Sequence, residues 1–237
     1  MAYGVDYREA GVGEGFDPAS LRRRWLMLAV AFAVLALPVT IGARGPDVLP
    51  GDADITRAIQ AWPSPALDTL ARAFTAIGGV WPGEPLVAAA IAAYLMVSGA
   101  RRAAAFIAVA ALAGSINVLT KRIVASPRPT TDLVQVIQIA NGSGFPSGHA
   151  FSATLLYGAI WIVLPAIGIN QTAWRLLRWA TVVVAVGICW SRIRLGAHWP
   201  SDVLGGILWG MAALSLLAAL SLPGVLQERL RSHLSTE

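Results

Sequence analysis

Apolar residues along this chain come in long blocks instead of the narrow stripes of water-soluble helices. Six blocks cover roughly 25–43, 83–99, 103–124, 148–168, 177–192 and 201–222. Each approaches the ~20 residues that cross a ~30 Å hydrocarbon core, and the block pattern predicts lipid-facing helices. Asp17-Pro18 reads as an N-cap with proline at the first helical position, so the first helix starts there and passes Arg22, Arg23 and Arg24 before its apolar part. Pro38 is expected to kink it. Residues 44–80 are different: a turn-rich opening precedes two amphipathic stretches near 53–61 and 66–77 that are too polar to span. These predict interfacial helices. The fold class is therefore all-α, a polytopic bundle of six transmembrane helices with short interfacial helices between the first and second spans. Its expected parts are a flexible tail at 1–17, the six-span domain at 18–224 and a polar tail at 225–237.

Composition agrees with this. Of 237 residues, 56% are hydrophobic and 13% charged, against about 25% charged in soluble domains. A net charge of +5 raises the question of nucleic acid. The basic residues form no long run and no nucleic-acid motif surrounds them, so a nucleic-acid partner is not expected. The single cysteine, Cys189, excludes an internal disulfide and reads as packing. No cleavable signal sequence is evident ahead of the first block.

Basic residues in the connections give the orientation. Ten of the 18 Lys and Arg fall on the side holding Arg8, Arg22–Arg24, Arg101, Arg102, Arg175, Arg178, Arg229 and Arg231. The other eight include three in the candidate site described next, and Arg57 and Arg72 in the longer loop. Setting those five aside leaves ten against three, and the positive-inside rule then puts both termini in the cytoplasm. The 125–147 and 193–200 connections face outward, toward the periplasmic side of an inner membrane. Trp62, Trp81 and Trp199 at one face, and Trp25, Trp174 and Trp179 at the other, suit interfacial anchoring.

Three polar clusters interrupt the apolar pattern, all on the outward side. They are Lys121 to Pro129, Phe145-Pro146-Ser147-Gly148-His149, and Ser191 to Asp202. Lys121, Arg128 and Arg192 bring three fixed positive charges, and the arginine fork matches phosphate oxygens. Ser147 and Gly148 precede a spanning helix whose N-terminal N–H groups and dipole favour an anion. His149 and His198 exchange protons near neutral pH. Asp202 lies four residues after His198, across a proline able to start a helix, so a carboxylate comes within reach of one imidazole nitrogen. No Cys/His or multi-carboxylate cluster accompanies them, and neither a metal nor another cofactor is indicated. The simplest chemistry is phosphoryl transfer through a covalent phosphohistidine.

The spacing Lys121, six residues, Arg128-Pro129; then Pro146-Ser147-Gly148-His149; then Ser191-Arg192, five residues, His198, three residues, Asp202 resembles the type 2 phosphatidic acid phosphatase (PAP2) superfamily. That superfamily also includes vanadium haloperoxidases and bacterial undecaprenyl pyrophosphate phosphatases. With the six-span layout, the resemblance covers roughly 20–222. It implies that His198 is the nucleophile, that Asp202 holds its tautomer, and that His149 protonates the leaving oxygen. It further implies that Lys121, Arg128, Ser147, Gly148 and Arg192 bind the phosphoryl group. The implied activity is metal-independent hydrolysis of a membrane lipid phosphate, with undecaprenyl pyrophosphate first. Phosphatidic acid and phosphatidylglycerol phosphate are the alternatives, behind them a non-catalytic lipid carrier or a haloperoxidase.

Several neighbouring residues have plainer explanations. Arg122 and Arg194 read as snorkelling anchors or topology signals. Gly142, Ser143 and Gly144 read as loop flexibility, Ser191 as structural or as a support behind the site, and His233 as inert in the polar tail.

Overall fold

A computed structural model describes residues 17–79, 82–114, 124–164 and 170–234. Among these residues the chain is helical, without strands. Its helices are α1 (Pro18–Gly42), α2 (Asp52–Gln60), α3 (Pro65–Ile77), α4 (Gly83–Val97), α5 (Arg101–Gly114), α6 (Gly148–Val163), α7 (Gln171–Arg194) and α8 (Pro200–Leu234). Among the described residues three stretches are long and apolar enough to cross a membrane: Pro18–Gly42, Gln171–Arg194 and Pro200–Pro223. Gly83–Val97 and Gly148–Val163 are apolar but shorter. The expected span at 103–124 lies partly outside the described residues, as do Lys121, Arg122 and Trp81.

The start of α1 follows the sequence expectation. The Asp17 carboxylate accepts from the N–H groups of Ala19 at 2.9 Å and Ser20 at 3.1 Å, satisfying donors that a first turn leaves open. The helix runs on through Pro38 and packs along α8. There the Trp209 indole N–H donates to Thr40 Oγ1 at 3.1 Å. The rest of α1 carries exposed Val30, Val34, Leu37 and Ile41, as a lipid-facing helix would.

The core centres on α6, whose Ala153, Leu155, Leu156, Ala159, Ile160 and Val163 are buried. A helix apolar all round is one enclosed by others, and α6 packs against α5, α7 and α8. Small residues set the closest approach. A Cβ on Gly206 would lie 2.7 Å from the Ser147 carbonyl, and one on Gly210 2.9 Å from that of Phe151, so α8 meets the start of α6 backbone to backbone.

Helices α2 and α3 are the amphipathic pair expected at the interface, and they also dock onto the bundle. The Arg194 guanidinium is 1% exposed. It bonds Asp68 through Nε at 2.9 Å and Nη2 at 2.8 Å, and the Ile59 and Trp62 carbonyls through Nη1, both at 3.0 Å. Arg194 is therefore a buried clamp and not a snorkelling anchor: the α2–α3 turn supplies acceptors that water would otherwise supply. Trp199 also departs from expectation. At 1% exposed it packs inside the protein, whereas Trp62 and Trp179 are exposed as interfacial anchors would be. Cys189 is buried among apolar neighbours.

Candidate active site

The C-terminus of α7, the N-termini of α6 and α8, and the 124–147 connection meet at one end of the bundle. The turn between α7 and α8 presents His198. The N–H groups of Ala197 and His198 both donate to the Arg192 carbonyl, at 3.0 and 3.2 Å. Gly196 takes φ +63°, and a Cβ there would lie 2.0 Å from the Gln135 carbonyl oxygen; glycine alone meets both demands. The Leu195 carbonyl accepts from Ile137 and Gln138, each at 3.0 Å. The long connection is thus fastened to the turn that carries the histidine.

His198 is buried, with Nδ1 3.2 Å from Asp202 Oδ2. Its Nε2 lies 3.3 Å from Arg128 Nη1. Arginine only donates, so that contact assigns the lone pair to Nε2 and the proton to Nδ1, where it points at the carboxylate. Asp202 is fully buried. Its Oδ2 also accepts from the Trp199 N–H at 3.1 Å, and its Oδ1 from Ser126 Oγ at 3.4 Å. The acid therefore caps the start of α8 and orients the imidazole at once.

Arg128 is held more fully than a simple phosphate fork requires. Nε donates to the Gly142 carbonyl at 2.8 Å, and Nη2 to those of Asn141 and Ser143 at 2.9 and 3.2 Å. Nη1 donates to the Ala197 carbonyl at 2.7 Å and meets His198 Nε2. Those five contacts use all five guanidinium N–H groups. Burial pushes Arg128 below its ordinary value, with Asp202 pulling the other way.

Arg192 is 2% exposed and keeps an open donor. Its Nη1 donates to Thr75 Oγ1 at 2.8 Å and Gln138 Oε1 at 3.1 Å, while Nε has no hydrogen-bond partner among the described residues. Because Thr75 accepts there, its hydroxyl donates to Ser191 Oγ at 2.8 Å, and Ser191 donates on to the Ile188 carbonyl at 2.7 Å. Ser191 thus supports Arg192 through Thr75. At α6, Ser147 is the N-cap, its Oγ accepting from the Ala150 N–H at 3.5 Å, and its own N–H donates to the Asp202 carbonyl at 2.9 Å. Gly148 and half-buried His149 open the helix. Lys121 lies outside the described residues.

Two parts of the site had weak or no sequence signals. The segment 142–144 makes contacts, contrary to its expected role as flexible loop. Gly142 and Ser143 hold Arg128; the Ser143 hydroxyl also bridges the Val124 carbonyl and the Ser126 N–H. A Cβ on Gly144 would lie 2.9 Å from Asp202 Oδ2 and 3.0 Å from the Pro127 carbonyl. Gly144→Ala should therefore push Asp202 from His198, and turnover of the purified variant should fall about ten-fold or more, the rate equivalent of ~1.4 kcal/mol. The other part is the α2–α3 pair, which brings Thr75 to Arg192 and Gln60 to the Gln135 backbone. Apart from amphipathic periodicity, nothing in 44–80 signals these contacts.

Asp52, at the start of α2, accepts from the Ser201 N–H at 2.9 Å and from its hydroxyl at 2.5 Å, completing the first turn of α8. Burial pushes the Asp52 carboxyl above its ordinary 3.8, opposed by the two Ser201 bonds. A carboxyl raised on folding holds its proton more tightly in the folded state. Its contribution is complete below the unfolded value and lost as pH rises through the folded one. Asp52→Asn should therefore gain thermal stability relative to the parent as pH climbs from about 4 toward neutrality. Asp52→Ala should lose about 1 kcal/mol with the cap. Inactivation temperatures in detergent across that pH range read both effects.

A buried nucleophilic nitrogen, an orienting carboxylate, a fixed guanidinium and a helix N-terminus with an adjoining histidine suit attack on a phosphorus centre. Residues 102–223, just over half of the chain, match the family model of the PAP2 superfamily, and the chain belongs to that superfamily. Over 92 residues it is 35% identical to phosphatidylglycerophosphatase B of Escherichia coli K12, covering 38% of this chain and 34% of that protein. A 30-residue stretch is 63% identical to YbjG of the same organism, provisionally named an undecaprenyl-diphosphatase, covering 13% and 15% of the two chains. These matches span about a third or less of the curated relatives' length. A crystal structure of a transmembrane PAP2-type phosphatidylglycerolphosphate phosphatase from Bacillus subtilis shares the fold, with a TM-score of 0.72 at 19% identity over 81% of this chain and 95% of that one.

Proposed function

We propose that this chain is an integral membrane phosphatase that hydrolyses a lipid phosphate or pyrophosphate through a phosphohistidine on His198. One observation carries the proposal: the buried imidazole is held with Nδ1 3.2 Å from Asp202 Oδ2 and Nε2 3.3 Å from Arg128 Nη1. An arriving phosphoryl oxygen draws the Arg128 Nη1 N–H away from Nε2 and frees the lone pair. Nε2 then bonds to phosphorus, the bond to the lipid oxygen breaks, and His149 supplies that oxygen with a proton. Water next attacks the phosphohistidine with His149 as base, releasing phosphate and restoring the histidine. The open Nε–H of Arg192, the α6 N-terminus at Ser147 and Gly148, and Lys121 by family resemblance complete the cradle.

Six spans within residues 18–224, both termini cytoplasmic and the site on the outer face complete the proposal. Three apolar helices of spanning length and the arginine distribution support it. Undecaprenyl pyrophosphate and the glycerolipid phosphates stand on equal footing as substrates. The stretch shared with YbjG favours the first, and the longer match to phosphatidylglycerophosphatase B the second. Purified protein should release phosphate from such lipids without added metal. Lipid binding with no phosphate release would point to a carrier. Halide oxidation in the presence of vanadate would point to a haloperoxidase.

A further inference from the structure

An apolar groove opens between α1 and α8 and ends at Pro146, the residue before Ser147. Pro146 and Phe151 form its upper end, Ala33 and Ala213 face it midway, and Leu26 and Leu216 lie at its foot. Its volume is about 460 Å³ and no polar atom lines it. Pro146 directly precedes Ser147, and Phe151 sits one turn into α6, so the groove begins beside the helix end proposed to seat the phosphoryl group. Asp202 and Leu216 are fourteen residues apart on α8, which sets the foot of the groove about 21 Å below the site.

We propose that this groove holds a single hydrocarbon chain of the substrate, the one nearest the scissile phosphate, and that it measures that chain. The proposal rests on the lipid phosphatase function above. A phosphate held at Ser147 and Gly148 leaves its attached carbon chain at Pro146, and the apolar path from there runs down between α1 and α8. At ~30 Å³ per water-sized group, 460 Å³ admits roughly fifteen methylene-sized units. That is one acyl chain, or about three isoprene units of a polyprenyl chain. A second acyl chain, or the remainder of a polyprenol, stays in the bilayer. Alanines at 29, 33, 212 and 213 keep the groove open; larger side chains there would fill it.

The test uses two series of water-soluble single-chain substrates below their micelle concentrations: alkyl monophosphates, and prenyl pyrophosphates of one to four isoprene units. Free-chain transfer is favourable for each added methylene. In both series kcat/KM should rise with chain length, by about ten-fold or more in total, and level off near fifteen carbons. A rise confined to one series identifies that lipid class as the occupant. Ala213→Phe, and Ala33→Phe from the opposite wall, should move the plateau to shorter chains and raise KM for long substrates about ten-fold. Both should leave kcat on the shortest substrate unchanged, which also reports a folded site. Val34→Phe, on the exposed face of α1, should change neither. Length-independent kcat/KM, an equal loss at every length, or the same shift in Val34→Phe would overturn the groove and assign it to bilayer lipid. Absence of phosphate release from every substrate would instead overturn the phosphatase function itself.

Discussion

His198→Ala should lower phosphate release by about four orders of magnitude or more, with substrate binding largely kept, because the proposed nucleophile is lost while the cationic cradle stays. Asp202→Asn should cost nearly as much, for a more specific reason. Among the described residues the carboxylate accepts from His198 Nδ1, the Trp199 N–H and Ser126 Oγ. The Trp199 N–H and His198 Nδ1 share Oδ2, so an asparagine oxygen in that place still accepts from both but carries no negative charge. The positively charged imidazole ring of a phosphohistidine then loses the carboxylate that offsets it. Single-turnover rates on the two variants, with binding measured separately, check both. Loss of affinity with the chemical step unchanged would contradict the assignment.

Arg128→Lys should lower turnover about a hundred-fold or more although the charge is kept. The guanidinium spends one donor on each of the carbonyls of Gly142, Asn141, Ser143 and Ala197 and one on His198 Nε2. An ammonium has three donors on a single atom and cannot reach five acceptors spread over two segments. At least two acceptors lose their partner, at about 1–3 kcal/mol for each that stays buried. The same change should speed hydrogen exchange in 141–144, because those carbonyls anchor the loop. A residue that only binds phosphate would alter KM and leave exchange unaffected. Turnover and exchange moving together is the expected outcome.

Much of this site was legible in the sequence because its chemistry is carried by residue types at fixed spacing. His198 and Asp202, four apart across a proline, meet as that spacing implies. Ser147 caps α6, and Asp17 caps α1. What the sequence left hidden depends on contacts between distant segments. Arg194 looks like any arginine at a helix end until Asp68 and the Ile59 and Trp62 carbonyls close around it. Gly144 looks like a loop glycine, yet the need for glycine comes from Asp202, 58 positions further on. Arg128 was legible as a cation, but its five acceptors are mostly backbone carbonyls, and those leave no trace in residue type. Glu84 stands within an apolar block, with no neighbouring motif to signal a role. It is buried beside Ser152, with Oε1 unpaired among the described residues.

The proposed covalent intermediate on His198 can be trapped directly. In His149→Ala, with a substrate whose leaving group needs no proton, attack by His198 proceeds while hydrolysis of the intermediate loses its base. Rapid quenching at high pH, followed by peptide mass spectrometry, should find acid-labile phosphate on His198. Phosphate on any other residue, or equal labelling in His198→Ala, would contradict the account.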